Sequence, residues 1–344
     1  MKNKGLIVIL IVAVIILGIL IGTRIVGKDE KTNAKIEKQD DTNQVEENKD
    51  TGIKTWSGNS RSVAIMIDNV GEAKPQAGLN DAAIVYEITV EGGLTRLLAV
   101  YKDIKDKEET IGPVRSARPV FIDYALENDS IFVHFGYSKR AENDIEKLKI
   151  NNVNGLVTET AFWRTSEKKA PHNVLTNMKK IMEYADKKEY KTTSTQKSVL
   201  KYTPNEIELG NGQTANKVNM PYTASHKVSF KYNAETNLYE RYVNDKVEKD
   251  MVSKETRIAK NIIITFAHNY TTDEDAGYGR QEIENIGTLE GYYITNGKAI
   301  KIKCSKSSRN AQTVYKDENG KEIEVNDGNT YIQIVPIDTK VTFE

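Results

Sequence analysis

Cysteine is nearly absent: Cys304 stands alone among 344 residues, which excludes an internal disulfide. Histidine is scarce too, with four. None falls in an H-x-x-x-H or C-x-x-C pattern, so the three or more ligands of a zinc site are missing, and neither metal nor cofactor is expected. No charge sign prevails, with 49 acidic and 49 basic side chains. A global field that would steer the chain to nucleic acid is therefore excluded. Proline is limited to seven residues, and no internal repeat stands out.

What is present begins at the N-terminus. Leu6 to Gly22 carries no polar or charged side chain. With Gly5 and Thr23 the run makes a helix of about 28 Å, close to a hydrocarbon core of about 30 Å and longer than a cleaved signal's apolar region of roughly 7–15 residues. Lys2 and Lys4 precede it, so the N-terminus is expected inside and the remainder outside. Leu20-Ile21-Gly22-Thr23 has the form of a lipobox with threonine in place of the acylated cysteine. Residues 1–27 are thus expected to be a transmembrane anchor in the cell membrane. Residues 28–60, polar and poor in aliphatics, are expected to form a flexible stalk.

Residues 61–200 read as a mixed α/β domain. Arg61 to Asn69 is an apolar strand ending in Asp68-Asn69, and Ala83 to Lys102 reads as a hairpin turning at Gly92-Gly93. Pro119 to Leu126 reads as a helix with proline at its first position, Ala141 to Lys149 as a second, and a third follows a cap at Thr176. If Gly92-Gly93 is a two-residue loop, Thr89 opposes Arg96, and Arg96 shares a face with Glu87 and Glu91. An arginine fork between two carboxylates follows. The two acids stand about 13 Å apart along the strand, too far for a glycosidase pair, whose carboxyls lie roughly 5–9.5 Å apart.

Gly112-Pro113-Val114-Arg115-Ser116-Ala117-Arg118-Pro119 leads into the first helix. Two arginines and a serine beside free helix N–H groups make an anion site, or else close the helix start and face solvent. His134 lies inside a strand, and His172 lies in Ala170-Pro171-His172-Asn173.

Together with Pro75-Gln76-Ala77-Gly78-Leu79, Tyr86-Glu87 and Glu91-Gly92-Gly93-Leu94-Thr95-Arg96, these motifs resemble the YerB-like proteins of Gram-positive bacteria, catalogued as lipoproteins with a domain of unknown function. The resemblance covers residue 60 to the C-terminus. It implies an extracytoplasmic, membrane-tethered protein and no assigned reaction. It also implies that Glu91, Arg96, Arg115, Ser116, Arg118, His172 and Asn173 belong to signature stretches.

Residues 220–344 read as a mainly antiparallel β domain, with strands separated by turns such as Asn296-Gly297 and Asp327-Gly328; residues 191–219 read as a connector. The fold class expected is α+β. Cys304, on a strand, reads as a small hydrophobe, or as a thiol nucleophile with His268 or His226 as its base.

Three functional readings follow. The first is a protein binding an anionic cell-envelope ligand, with Glu87, Glu91, Arg96, Arg115, Ser116, Arg118, His172 and Asn173 as candidate ligand-binding residues. The second is an enzyme of wall polymers or lipid-linked phosphate, with His172 or Glu91 as acid or base. The third is a scaffold partnered by another envelope protein.

Overall fold

The computed structural model describes residues 52–103, 106–158, 160–273 and 277–344. The expected anchor, and the stalk as far as residue 51, lie outside them. Among the described residues no helix is long and apolar enough to cross a membrane. The last part of the expected stalk is packed onto the body. The N–H groups of Lys54 and Thr55 donate to the Asp327 carboxylate at 2.8 and 3.0 Å. Trp56 lies against the core, with the Lys102 ammonium 5.5 Å from its ring.

The first half of the chain supplies β1 (Val63–Asp68), β2 (Ile84–Thr89), β3 (Thr95–Tyr101), β4 (Ile131–His134) and β5 (Asn152–Asn154). Among the described residues it also supplies three α-helices: α1 (Pro119–Glu127), α2 (Lys139–Lys147) and α3 (Met178–Lys187). Pro119 opens α1 as expected. Ser138 caps α2 by accepting from the Ala141 N–H at 3.2 Å. The cap of α3 is Asn177, accepting from Lys180 N–H at 2.9 Å. Thr176, the expected cap, instead donates its hydroxyl to the Ala161 carbonyl at 2.7 Å.

The second half supplies β6 (Lys217–Pro221), β7 (Lys227–Asn233) and β8 (Leu238–Val243), which form a smaller antiparallel sheet. It also supplies β9 (Asn261–Ala267), β10 (Gly287–Thr295), β11 (Lys298–Lys306), β12 (Val314–Asp317) and β13 (Thr330–Pro336). Asn296-Gly297 is the β10–β11 hairpin turn, with Thr295 opposite Lys298 and positive φ at both turn residues, the geometry that matches strand twist.

One mixed sheet runs through both halves in the order β12-β11-β10-β9-β13-β2-β3-β1-β4-β5. The join is β13, parallel to β9 on one side and to β2 on the other. Parallel pairing at this seam departs from the largely antiparallel reading of the second half. Turn dipeptides report only neighbouring strands, and Asp327-Gly328 is not a hairpin turn: it leads into β13, which is parallel to both of its neighbours. β1, β2 and β3 are buried along their whole length, as strands covered on both faces must be. Ala64, Met66, Tyr86 and Leu98 face α1 and α2. Ile65, Ile67, Val85 and Leu97 face α3 and the smaller sheet.

Candidate functional site

Strands β1, β4 and β5 are parallel, so their carboxyl ends meet at one edge, the usual place for a ligand crevice in such sheets. β1 and β4 pair only as far as Ile65 and Val133. Beyond that point the Gly112–Arg118 segment wedges between them. Arg115 N–H donates to the Met66 carbonyl at 2.9 Å, and Phe135 N–H donates to the Arg115 carbonyl at 3.1 Å. The wedge fixes Arg115 beside Asp68, the last residue of β1.

Asp68 is buried, with its side chain 2 % exposed, and one of its oxygens holds two partners. His172 Nδ1 lies at 2.8 Å and Arg115 Nε at 3.2 Å from Oδ2. A carboxylate on Nδ1 fixes the imidazole and turns Nε2 away from it. Arg115 spends only Nε on Asp68; its two terminal nitrogens have no protein partner among the described residues. His172 and Arg115 are part-exposed, at 20 and 27 %.

The other two arginines are spent on the protein. Arg118 grips Glu91 with both Nε, at 2.9 Å, and Nη2, and it donates Nη1 to the Ala117 carbonyl. Arg96 donates to the Ser116 carbonyl at 2.6 Å and lies 3.6 Å from Glu91. Burial and the neighbouring Arg118 charge push Arg96 down to about 9. Burial acts to raise Glu91, but the Arg118 hydrogen bonds and charge and the Arg96 charge bring it down to about 2. Ser116 donates its hydroxyl to the Phe135 carbonyl at 3.0 Å. Asn173 accepts from Arg164 Nη1 at 2.6 Å, and the Arg164 guanidinium lies 5.1 Å from the Phe135 ring.

Glu87 is not part of this group. Thr89 pairs with Thr95 and Ile88 with Arg96, one residue away from the expected register. The loop is three residues, Glu91–Gly93, closed by Val90 N–H donating to the Leu94 carbonyl at 2.8 Å. A one-residue shift turns each side chain to the other face. Glu87 therefore points into the interface with the smaller sheet, fully buried. There it accepts from Arg241 Nη2 at 2.7 Å, Thr95 at 2.8 Å and Asn69 at 3.1 Å, and it lies 2.8 Å from His226 Nε2. Burial acts to raise it; Arg241 and His226 carry it well below the ordinary carboxylate range. Arg241 also bonds Glu248, which bonds Arg257 and Lys74. This chain of buried charges ties the two sheets together.

Two other sequence candidates are core groups. Burial pushes the Cys304 thiol up to about 12, and Thr265 donates to its sulfur at 3.3 Å; a reactive cysteine is pushed the other way. Burial pushes His134 down to about 4, with Nδ1 2.8 Å from the Gly136 carbonyl.

Family models match both halves of the chain: protein of unknown function (DUF3048), N-terminal domain, over residues 50–191, and the corresponding C-terminal domain over residues 218–332. The chain belongs to the DUF3048 family. It is similar to "Putative lipoprotein YerB" of Bacillus subtilis (strain 168), 31% identical over 303 residues, 83% of this chain and 85% of the relative. It also matches a crystal structure of the YerB protein from Bacillus subtilis with a TM-score of 0.73 and 29% identity, over 83% of this chain and 94% of that one.

In this DUF3048 chain, reading the sequence missed Asp68 and Arg164 as site residues. Asp68 carried a signal: an acid closing an otherwise apolar strand, at the carboxyl end where ligands collect. Arg164 carried none, because only the fold brings it to Asn173 and Phe135.

Proposed function

We propose that the protein binds an anionic cell-envelope ligand between Arg115 and His172. The supporting observation is a buried carboxylate, Asp68, that holds both groups from behind while leaving the Arg115 terminal nitrogens and His172 Nε2 uncommitted among the described residues. A guanidinium with two free parallel donors suits a phosphate or carboxylate. Glu91, Arg96 and Arg118 act as a brace that holds the wedge in place. The relative's printed name, a lipoprotein, and the apolar run at Leu6–Gly22 support placement of the body outside the cell membrane.

The test titrates the full chain in detergent with inorganic pyrophosphate and with purified wall teichoic acid. Arg115→Ala should weaken binding by about tenfold or more, with a Tm change of only a few degrees. Equal binding by the variant and the wild type would remove Arg115 from the reading.

The Asp68–His172 pair favours a second reading, proton transfer on a bound phosphate ester, with Asp68 orienting the base. Turnover of a phosphodiester that disappears in His172→Ala would decide for it.

A further inference from the structure

A cleft of about 370 Å³ lies beside the first turn of α1, between it and residues 282–286. Pro119 and Val120 form part of one wall; Ile283 and Ile286 form part of the other. Asp123 and Arg309 are polar groups of the lining, joined by a 2.6 Å bond from Arg309 Nε to Asp123 Oδ1. Asn285 donates to the other oxygen at 3.2 Å. Arg140 reaches from α2 to grip Glu282 with both Nη atoms, one at 3.0 Å. At the rim, Tyr270 is 45 % exposed and Ile286 is 48 % exposed.

The volume is within the range of small-molecule sites, about 300–1,000 Å³. The lining brings three carboxylates, Asp123, Glu282 and Glu284, against two guanidiniums, Arg140 and Arg309. Both arginines already grip carboxylates, so an anion would find no unspent positive charge there, unlike at Arg115. Carboxylate and amide oxygens with spare lone pairs can accept from hydroxyls, and Arg309 Nη1 can donate to one. An exposed tyrosine ring and two apolar walls offer a flat surface for a C–H face.

We infer that this cleft is a second binding site, for an uncharged oligosaccharide, with Tyr270 as its stacking platform. It is independent of the Arg115 site and stands or falls separately.

The experiment is calorimetric titration of the full chain, in micelles without sugar headgroups, with chitotetraose and with cellotetraose. At least one should bind. Tyr270→Ala should weaken that binding about tenfold or more, Tyr270→Phe should retain it, and Arg115→Ala should leave it unchanged. Absence of binding to both sugars overturns the proposal. So does binding that survives Tyr270→Ala, or binding that is lost in Arg115→Ala.

Discussion

Residues with the same chemistry have different jobs here according to what they already hold. Arg96 and Arg118 are committed to Glu91 and to backbone carbonyls; Arg115 keeps its terminal nitrogens without a partner among the described residues. Two carboxyls should make acid stability respond in opposite directions. Glu91 is held at about 2, below its ordinary 4.5. Its contribution is complete above pH 4.5 and is lost as pH falls through 2. Asp123 is raised by burial from 3.8 to about 6, against the pull of Arg309. Between those values the folded protein holds the proton more tightly, so stability falls as pH rises across that window. Denaturant titrations from low to neutral pH should show Glu91→Gln flattening the acid limb. Asp123→Asn should remove the decline that ends near pH 6. An unchanged acid limb in Glu91→Gln would mean that the Arg118 grip is absent in solution.

At the scale of elements, the glycine loop after β2 decides which face each charge takes. Gly92 and Gly93 have φ of 67° and 69°, a region open to glycine at little cost. Gly92→Ala should lose about 1 kcal/mol by urea unfolding, although its new methyl would meet nothing. A loss near zero would show that the loop relaxes. This loop also marks how far the sequence could be read. Gly-Gly announced the turn, and the apolar alternation announced β2 and β3. The choice between two and three loop residues was silent, because both place a glycine at positive φ. That choice separated Glu87 from Arg96. The antiparallel strands β10 and β11 were legible for a related reason: their Asn296-Gly297 turn is a local signal. The wedge of Gly112–Arg118 between β1 and β4 was not legible, since its partners, Met66 and Phe135, are distant in sequence.

At the scale of the whole molecule, the two larger sheets among the described residues are held together by charge as well as by apolar contact. Arg241 and Arg257 are 0 and 1 % exposed, and each serves Glu248. Arg241→Met would leave Glu87 and Glu248 under-paired in the interior. It should cost about 3–5 kcal/mol by chemical denaturation, far more than Arg115→Ala at the rim. A loss below 1 kcal/mol would mean that water enters the interface. The placement of β13 carries a different consequence. The strand that closes the gap between β2 and β9 is made after both of them, so a growing chain holds two half-sheets with raw edges until Thr330–Pro336 emerges. Unpaired edges are templates for wrong partners. A nascent chain stalled before residue 330 should therefore be the aggregation-prone form, and emergence of Thr330–Pro336 should be the step that protects it.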